Sequence, residues 1–263
     1  MTGYIVCAGA FDFQILFLAL GVFLLAGGAG ALNQIQERSY DARMERTMNR
    51  PIPSGRISVA NAVMVSLFFI VGGTMMLYLF FGLIPAVLGL FNILWYNLFY
   101  TNLKKVTAFA VVPGSLTGAV PALMGWAAAG GSILDSTIIF IAFFLFIWQV
   151  PHFWLLMLKY GKEYEEAGFP TINRTVSPAN LRMIVFSWII ATSASSMMVP
   201  FFISDISTVL FAAIVILNIL FVTTFIKLSF GKSAVINLRS SFLSLNIYML
   251  LFMVIMAVYH LLV

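Results

Sequence analysis

Three oxygen-bearing side chains, Asn33, Glu37 and Asp41, recur at intervals of four residues. Residues four apart on a helix are neighbours. The spacing therefore predicts a helix that carries all three on one face over roughly 12 Å, at 1.5 Å per residue. Two carboxylates and an amide suit a hard divalent cation, and Mg²⁺ in particular takes one or two carboxylates together with substrate phosphates. Arg46 and Arg50 follow at the same spacing, and the guanidinium fork grips phosphate. Pro51 and Pro53 are then expected to stop the helix. The competing reading of Asn33–Arg56, with its five arginines and three acids, is a solvated loop laced with i,i+4 ion pairs.

Two further stretches carry candidate chemistry. Lys104 and Lys105 end an aromatic run that also holds Asn92, Asn97 and Tyr100. They read either as interfacial anchors or as a second cationic clamp on the same phosphate. Farther on, Gln149 and His152 lie inside an apolar run, followed by Lys159, Lys162, Glu163 and Glu166. A polar or ionisable group at such depth is a functional candidate by default; the alternative is a histidine bonded across to another helix. Glu163 and Glu166, spaced i, i+3, could share a metal–diphosphate with the first acidic face.

The elements that must position these residues are membrane helices. The chain of 263 residues is 62% hydrophobic and 9% charged, with mean hydropathy +1.05, against about 25% charged in a soluble domain. Eight apolar runs are long enough to span: Phe13–Leu32, Val59–Phe81, Leu83–Tyr100, Ala108–Ala128, Thr137–Leu158, Met183–Ile203, Ile206–Ile226 and Phe242–Leu262. The expected architecture is one all-α, multi-span transmembrane bundle over residues 1–263. All 14 Lys and Arg fall at 38–56, 104–105, 159–182 and 227–239, and the intervening loops near Asp12, Gly82, Asp135 and Asp205 have none. This alternation is the positive-inside pattern and puts both acidic motifs on the cytoplasmic side. The net charge of +5 thus reports topology and anionic lipid, not nucleic acid. Met1–Ala10 is apolar but too short to span, and reads as the tail of a first helix absent from this chain. Cys7 is the sole cysteine, which excludes a disulfide framework and a thiolate metal site.

Within the spans, Gly27, Gly28 and Gly30 allow close helix approach. Pro113, Gly114, Gly118, Pro121 and Gly125 interrupt the fourth run, as backbone at a packing seam or cavity wall can. The last three runs are poor in polar groups, and Asn218, Asn237, Asn246 and His260 read as isolated.

Several of these segments together resemble the UbiA-type intramembrane prenyltransferases, typified by 4-hydroxybenzoate polyprenyltransferase. They are Asn33-x3-Glu37-x3-Asp41, MERTMNRPIPSGRIS (Met44–Ser58), YTNLKKVT (Tyr100–Thr107), GxxxGAVPALMGW (Gly114–Trp126), WQVPHF (Trp148–Phe153) and KEYEEAGFP (Lys162–Pro170). The MERT…RP run and WQxPHF taken together are similar to the haem branch, the protohaem IX farnesyltransferases. Glu37 and Glu163 stand where many members have Asp. The resemblance implies nine helices around a central cavity in the bacterial inner membrane. It also implies an Mg cofactor held with diphosphate by Asn33, Glu37, Asp41 and Glu163, with Arg46 and Arg50 stabilising the leaving charge. Lys104, Lys105, Gln149, His152, Lys162 and Tyr164 would then contact substrates. Those substrates would be farnesyl diphosphate and haem B, with haem A synthase or oxidase-assembly proteins as partners. The alternatives are a related enzyme acting on a quinone precursor or other aromatic acceptor, a transporter with a midplane site, and an assembly scaffold.

Overall fold

The structure is a computed structural model that describes residues 1–172, 176–203, 206–230 and 237–262. Arg174, Asp205 and Lys232 of the charge pattern lie outside the described residues. The described residues form helices and turns with no strand among them. We number the helices α1 (Thr2–Ala8), α2 (Gln14–Asp41), α3 (Val59–Phe81), α4 (Leu83–Leu103), α5 (Ala108–Ala128), α6 (Ser136–Ala167), α7 (Pro178–Ser196), α8 (Val199–Phe202), α9 (Thr208–Phe230) and α10 (Leu238–Leu262). Seven of them, α2 to α6, α9 and α10, are long and apolar enough to cross a membrane. Large side chains such as Phe68, Leu79, Phe99 and Ile216 are exposed on their outer faces. In an integral membrane protein this surface faces lipid.

The expected sixth span, Met183–Ile203, is instead broken. α7 stops at Ser196, and α8 begins after a turn with Pro200 in its first positions. Thr192, Ser195 and Ser196 turn their hydroxyls back onto carbonyls of the preceding turn, a pattern that bends helices. The serine run also meets partners that make Asn218 anything but isolated. Ser193 and Ser196 of α7, Asn218 of α9 and Tyr248 of α10 form one buried network, in which the Tyr248 hydroxyl lies 2.6 Å from Ser196 Oγ and 3.0 Å from Asn218 Oδ1. Unsatisfied polar groups are costly in lipid, so this network fixes the mutual rotation of three helices.

α2 and α3 pack closely through glycines. A Cβ at Gly73 would lie 2.8 Å from the Gly21 carbonyl oxygen and 3.0 Å from Leu25 N, whereas one at Gly72 would meet only Leu24 Cδ1 at 4.0 Å. Gly72→Ala is expected to raise the thermal unfolding midpoint in detergent slightly, because Ala gains about 0.5–1 kcal/mol over Gly inside a helix. Gly73→Ala should lower it, because overpacking costs about 1–3 kcal/mol. Midpoints that move together would show that the two faces are equally open.

α4 and α5 carry the irregular backbone. Pro121 cannot donate to Thr117, and Asn92 Nδ2 of α4 supplies the missing donor to that carbonyl at 3.2 Å. Residues Trp95–Tyr100 of α4 form a π-helical segment, a wider turn that is frequent at functional sites.

Candidate active site

α2 runs past the expected end of its span to Asp41, so the predicted face forms. Asn33, Glu37 and Asp41 are 7%, 3% and 1% exposed, which excludes the solvated-loop reading for all three. The helix does not continue to Pro51, however. Thr47 Oγ1 donates to the Asp41 carbonyl at 2.9 Å, and Met44 is buried against Ala167 and Phe169. The chain therefore leaves α2 at Asp41 and turns across the end of α6. Arg46 and Arg50 are not on an extension of the acidic face. Arg50 reaches it by folding back, with its NH1 2.9 Å from Asp41 Oδ2. Arg46 sits 4.9 Å over the Tyr160 ring and donates to the Tyr164 hydroxyl at 3.5 Å.

α4 closes the other side. Lys104 Nζ lies 2.6 Å from both carboxylate oxygens of Glu37, donating to Oε2, while Oε1 is outside hydrogen-bond geometry. Burial pulls the Lys104 ammonium below its ordinary pKa, against the raising effect of the Glu37 carboxylate beside it. Lys105 is placed differently: its Nζ donates to the Gln36 carbonyl at 3.3 Å and lies 5.7 Å over the Tyr40 ring. The two lysines are not one clamp.

The π-segment re-registers α4 so that it zips to α2. Asn97 O accepts from Gln36 Nε2 at 3.0 Å, and Asn97 Nδ2 donates to Gln36 Oε1 and to the Ala29 carbonyl, both at 3.1 Å. Asn33 Nδ2 donates to Thr101 Oγ1 at 3.1 Å.

The end of α6 completes the enclosure. Phe169 stacks on Tyr40 at 4.4 Å and lies 5.5 Å from Lys104 Nζ, and Arg43 NH1 donates to the Ala167 carbonyl at 3.4 Å. Tyr164 is half-buried, and Glu37, Asp41, Arg46 and Arg50 all act on it electrostatically. Glu163 is half-buried too. Its Oε2 is buried without a hydrogen-bond partner, and no ion pair among the described residues holds the side chain. Lys162 is exposed.

Beneath this polar end lies an apolar cavity of about 230 Å³ between α2, α4 and α5, bounded by Gly30 and Tyr96 above and Val22, Leu25 and Met124 below. A second, of about 100 Å³, lies between Tyr100, Lys104, Phe153 and Tyr164. Gln149 projects toward α5, where a Cβ at Gly118 would collide with its amide. His152 faces α10 instead. Its Nδ1 is 3.2 Å from Asn246 Oδ1, and the Phe242 and Trp148 rings lie 4.7 and 5.1 Å away. The cross-helix bond is thus present. α6 continues to Ala167, well beyond the Leu158 end assumed for the run.

The site fits a hard cation. Asn33 Oδ1 accepts no hydrogen bond among the described residues; Glu163 Oε2 is an orphaned oxygen, and Glu37 Oε1, though ion-paired with Lys104, accepts no hydrogen bond either. No group of three or more His, Cys, Asp or Glu among the described residues encloses a metal by itself, so phosphate and water oxygens would have to supply the other ligands, as Mg²⁺ prefers. Sequence reasoning missed Thr101, Gln36, Tyr96 and Phe169. Thr101 and Gln36 matter only because a π-turn sets their register, for which residue spacing gives no sign. Phe169 follows a glycine in a positive-φ cap, Gly168 at φ 96°, and that glycine was the available signal.

The UbiA prenyltransferase family model matches residues 1–246. Similar chains include the protoheme IX farnesyltransferase of Geobacter sulfurreducens, 39% identical over 188 residues that cover 71% of this chain and 69% of that one. That of Oleidesulfovibrio alaskensis is 34% identical, covering 76% and 71%; that of Legionella pneumophila is 32% identical, covering 90% and 81%. The fold is similar to a solved structure of a digeranylgeranylglyceryl phosphate synthase study, with TM-score 0.78 at 16% identity, covering 100% of this chain and 91% of that one. It is also similar to a UbiA homolog from Archaeoglobus fulgidus bound to GPP and Mg²⁺, with TM-score 0.69 at 14% identity, covering 100% and 93%. With a match over 1–246 and relatives of this identity and coverage, the chain belongs to the UbiA prenyltransferase family.

Proposed function

We propose that this protein transfers the farnesyl group of farnesyl diphosphate to a vinyl group of haem B, giving haem O for terminal oxidases. The observation that carries the reading is the convergence of a buried oxygen face with two cations, Arg50 and Lys104, above an apolar cavity, in a chain 39% identical to a protoheme IX farnesyltransferase. Asn33, Glu37 and Asp41, with Glu163 from α6, would hold Mg²⁺. Bound there, the ion supplies Lewis-acid neutralisation of the diphosphate charge. Arg46, Arg50 and Lys104 bind the diphosphate oxygens and stabilise the charge that develops on them. The allylic C–O bond breaks and its electron pair leaves with diphosphate. The farnesyl cation is sheltered from water by the apolar cavity, and aromatic faces such as Tyr96 and Tyr100 stabilise it. The vinyl π-electrons form the new C–C bond, and water then adds to the carbon next to the ring and loses a proton. We place both acidic motifs on the cytoplasmic side of a bacterial inner membrane, within a single transmembrane domain, and haem A synthase or oxidase-assembly proteins as partners.

Gln149 and His152 are the residues we assign to placing the porphyrin, with Lys105, Lys162 and Tyr164 at the cytoplasmic rim. Asn246 Nδ2 donates to the Phe242 carbonyl at 2.6 Å, which turns Oδ1 toward His152. Nδ1 is then the protonated ring nitrogen, and Nε2 keeps its lone pair for a ligand. The direct test is conversion of haem B and farnesyl diphosphate to haem O by the purified protein, read by mass. Conversion of a phenolic acceptor instead would transfer the reading to a quinone-type enzyme. In a Soret titration His152→Ala should weaken haem binding at least about tenfold, the range for losing an oriented ligand or its support. Mg²⁺-dependent farnesyl diphosphate binding should be unchanged, and equal haem affinity would leave His152 a helix–helix contact.

A further inference from the structure

Asn33 can offer a metal its carbonyl oxygen or turn its NH₂ there; the side chain has nearly the same shape either way. The surroundings decide. Thr101 is fully buried, and its hydroxyl donates to the Tyr96 carbonyl at 2.9 Å. A hydroxyl has one hydrogen, so toward Asn33 it presents lone pairs. Asn33 must therefore meet it with Nδ2, as it does at 3.1 Å, and Oδ1 is left facing away. The Tyr96 carbonyl is within reach because of the π-segment. There the Thr101 amide also bonds to Tyr96, five residues back, and the Asn97 carbonyl, the ordinary helical partner, is turned to Gln36. A regular α-helix would draw the threonine hydroxyl toward a carbonyl one residue later. From these bonds we infer that the π-turn and Thr101 form a positioning device that locks the Asn33 amide with its oxygen toward the cation site.

The inference rests on Asn33 being a ligand of Mg²⁺, but not on which acceptor the enzyme uses. It makes Thr101 a residue that acts through Asn33 and touches neither substrate nor metal. Losing such an outer partner typically costs about 10–100-fold in metal affinity.

The test titrates the full-length protein in detergent with farnesyl thiolodiphosphate, whose C–S bond resists ionisation, by calorimetry with and without Mg²⁺. The readout is the gain in affinity that Mg²⁺ confers. Thr101→Val keeps the shape and removes the hydroxyl; the gain should fall about tenfold or more, while affinity without Mg²⁺ stays as in the wild type. Thr101→Ser should restore the gain. In an Asn33→Asp background, where an oxygen faces the site in either orientation, Thr101→Val should cost less than about twofold, the non-additivity expected of two residues that act through one contact. An equal loss in that background, a loss of affinity without Mg²⁺, or an undiminished gain in Thr101→Val would each overturn the lock. No acceptor is present in the cell, so a haem-independent enzyme would give the same titrations and would be exposed only by the product assay.

Discussion

Glu37→Gln and Asp41→Asn are each expected to cut turnover by about 10²–10³, the usual cost of removing one electrostatic partner of a developing charge. Both substitutions keep size and hydrogen-bonding capacity and remove only the negative charge. The structure adds a second reason for the size of the effect. Glu37 is the counter-ion of Lys104, and Asp41 of Arg50. A neutral residue at either place leaves a cation uncompensated, and for Lys104, the less exposed of the two, that is costly in itself. Membrane accumulation therefore has to be measured beside steady-state turnover at saturating Mg²⁺. A variant that accumulates as the wild type does and turns over at full rate would remove its carboxylate from the site.

Lys104→Met and Lys105→Met should separate sharply. Lys104 is locked on Glu37 and lies against the Tyr100 and Phe169 rings, where it can pass from carboxylate to diphosphate with little movement. Truncating one partner of a buried hydrogen-bonded charge pair costs about 2–5 kcal/mol, and each 1.4 kcal/mol is about tenfold. The KM for farnesyl diphosphate should therefore rise more than about tenfold in Lys104→Met. Lys105 holds a backbone carbonyl and an aromatic face, and its loss should change KM by less than about threefold, in the range of weak exposed contacts. Equal effects would restore the two lysines to a joint clamp.

The comparison of sequence with structure turns on what spacing can encode. Asn33, Glu37 and Asp41 were legible because four-residue spacing is a local rule that burial then reinforces. The same rule misplaced Arg46 and Arg50, because the packing of Met44 on Ala167 and Phe169 ends α2 ten residues before Pro51. Hydropathy located seven of the eight spans, and it failed at Met183–Ile203, where α7 stops at Ser196 with its last hydroxyls turned back onto its own carbonyls. The partners of Asn218, Asn246 and His152 lie on other helices, more than 20 residues away in sequence, so single-chain periodicity carries no trace of them. Thr101 and Gln36 were unreadable for a different reason: their bonds depend on a change of helical type inside α4.

That change of type has a consequence for what α4 can tolerate. A π-turn amounts to one residue more than an α-helix would lodge in the same rise. Leu98 and Phe99 within it are 58% and 60% exposed toward lipid, so exchanging either for another apolar residue alters little. Removing one of them would leave the composition and apparent hydropathy of the span almost intact. It would also leave an ordinary α-helix with the downstream register kept, whereas winding all of the same residues as an α-helix would rotate everything downstream by roughly 100°, the angle of one residue at 3.6 per turn. Tyr100, Thr101 and Lys104 would swing together away from α2. Permissiveness to replacement and intolerance of regular winding thus coexist at the same lipid-facing positions. A regularised version of this helix that kept every residue, however ideal its geometry, would be a membrane span without an active site.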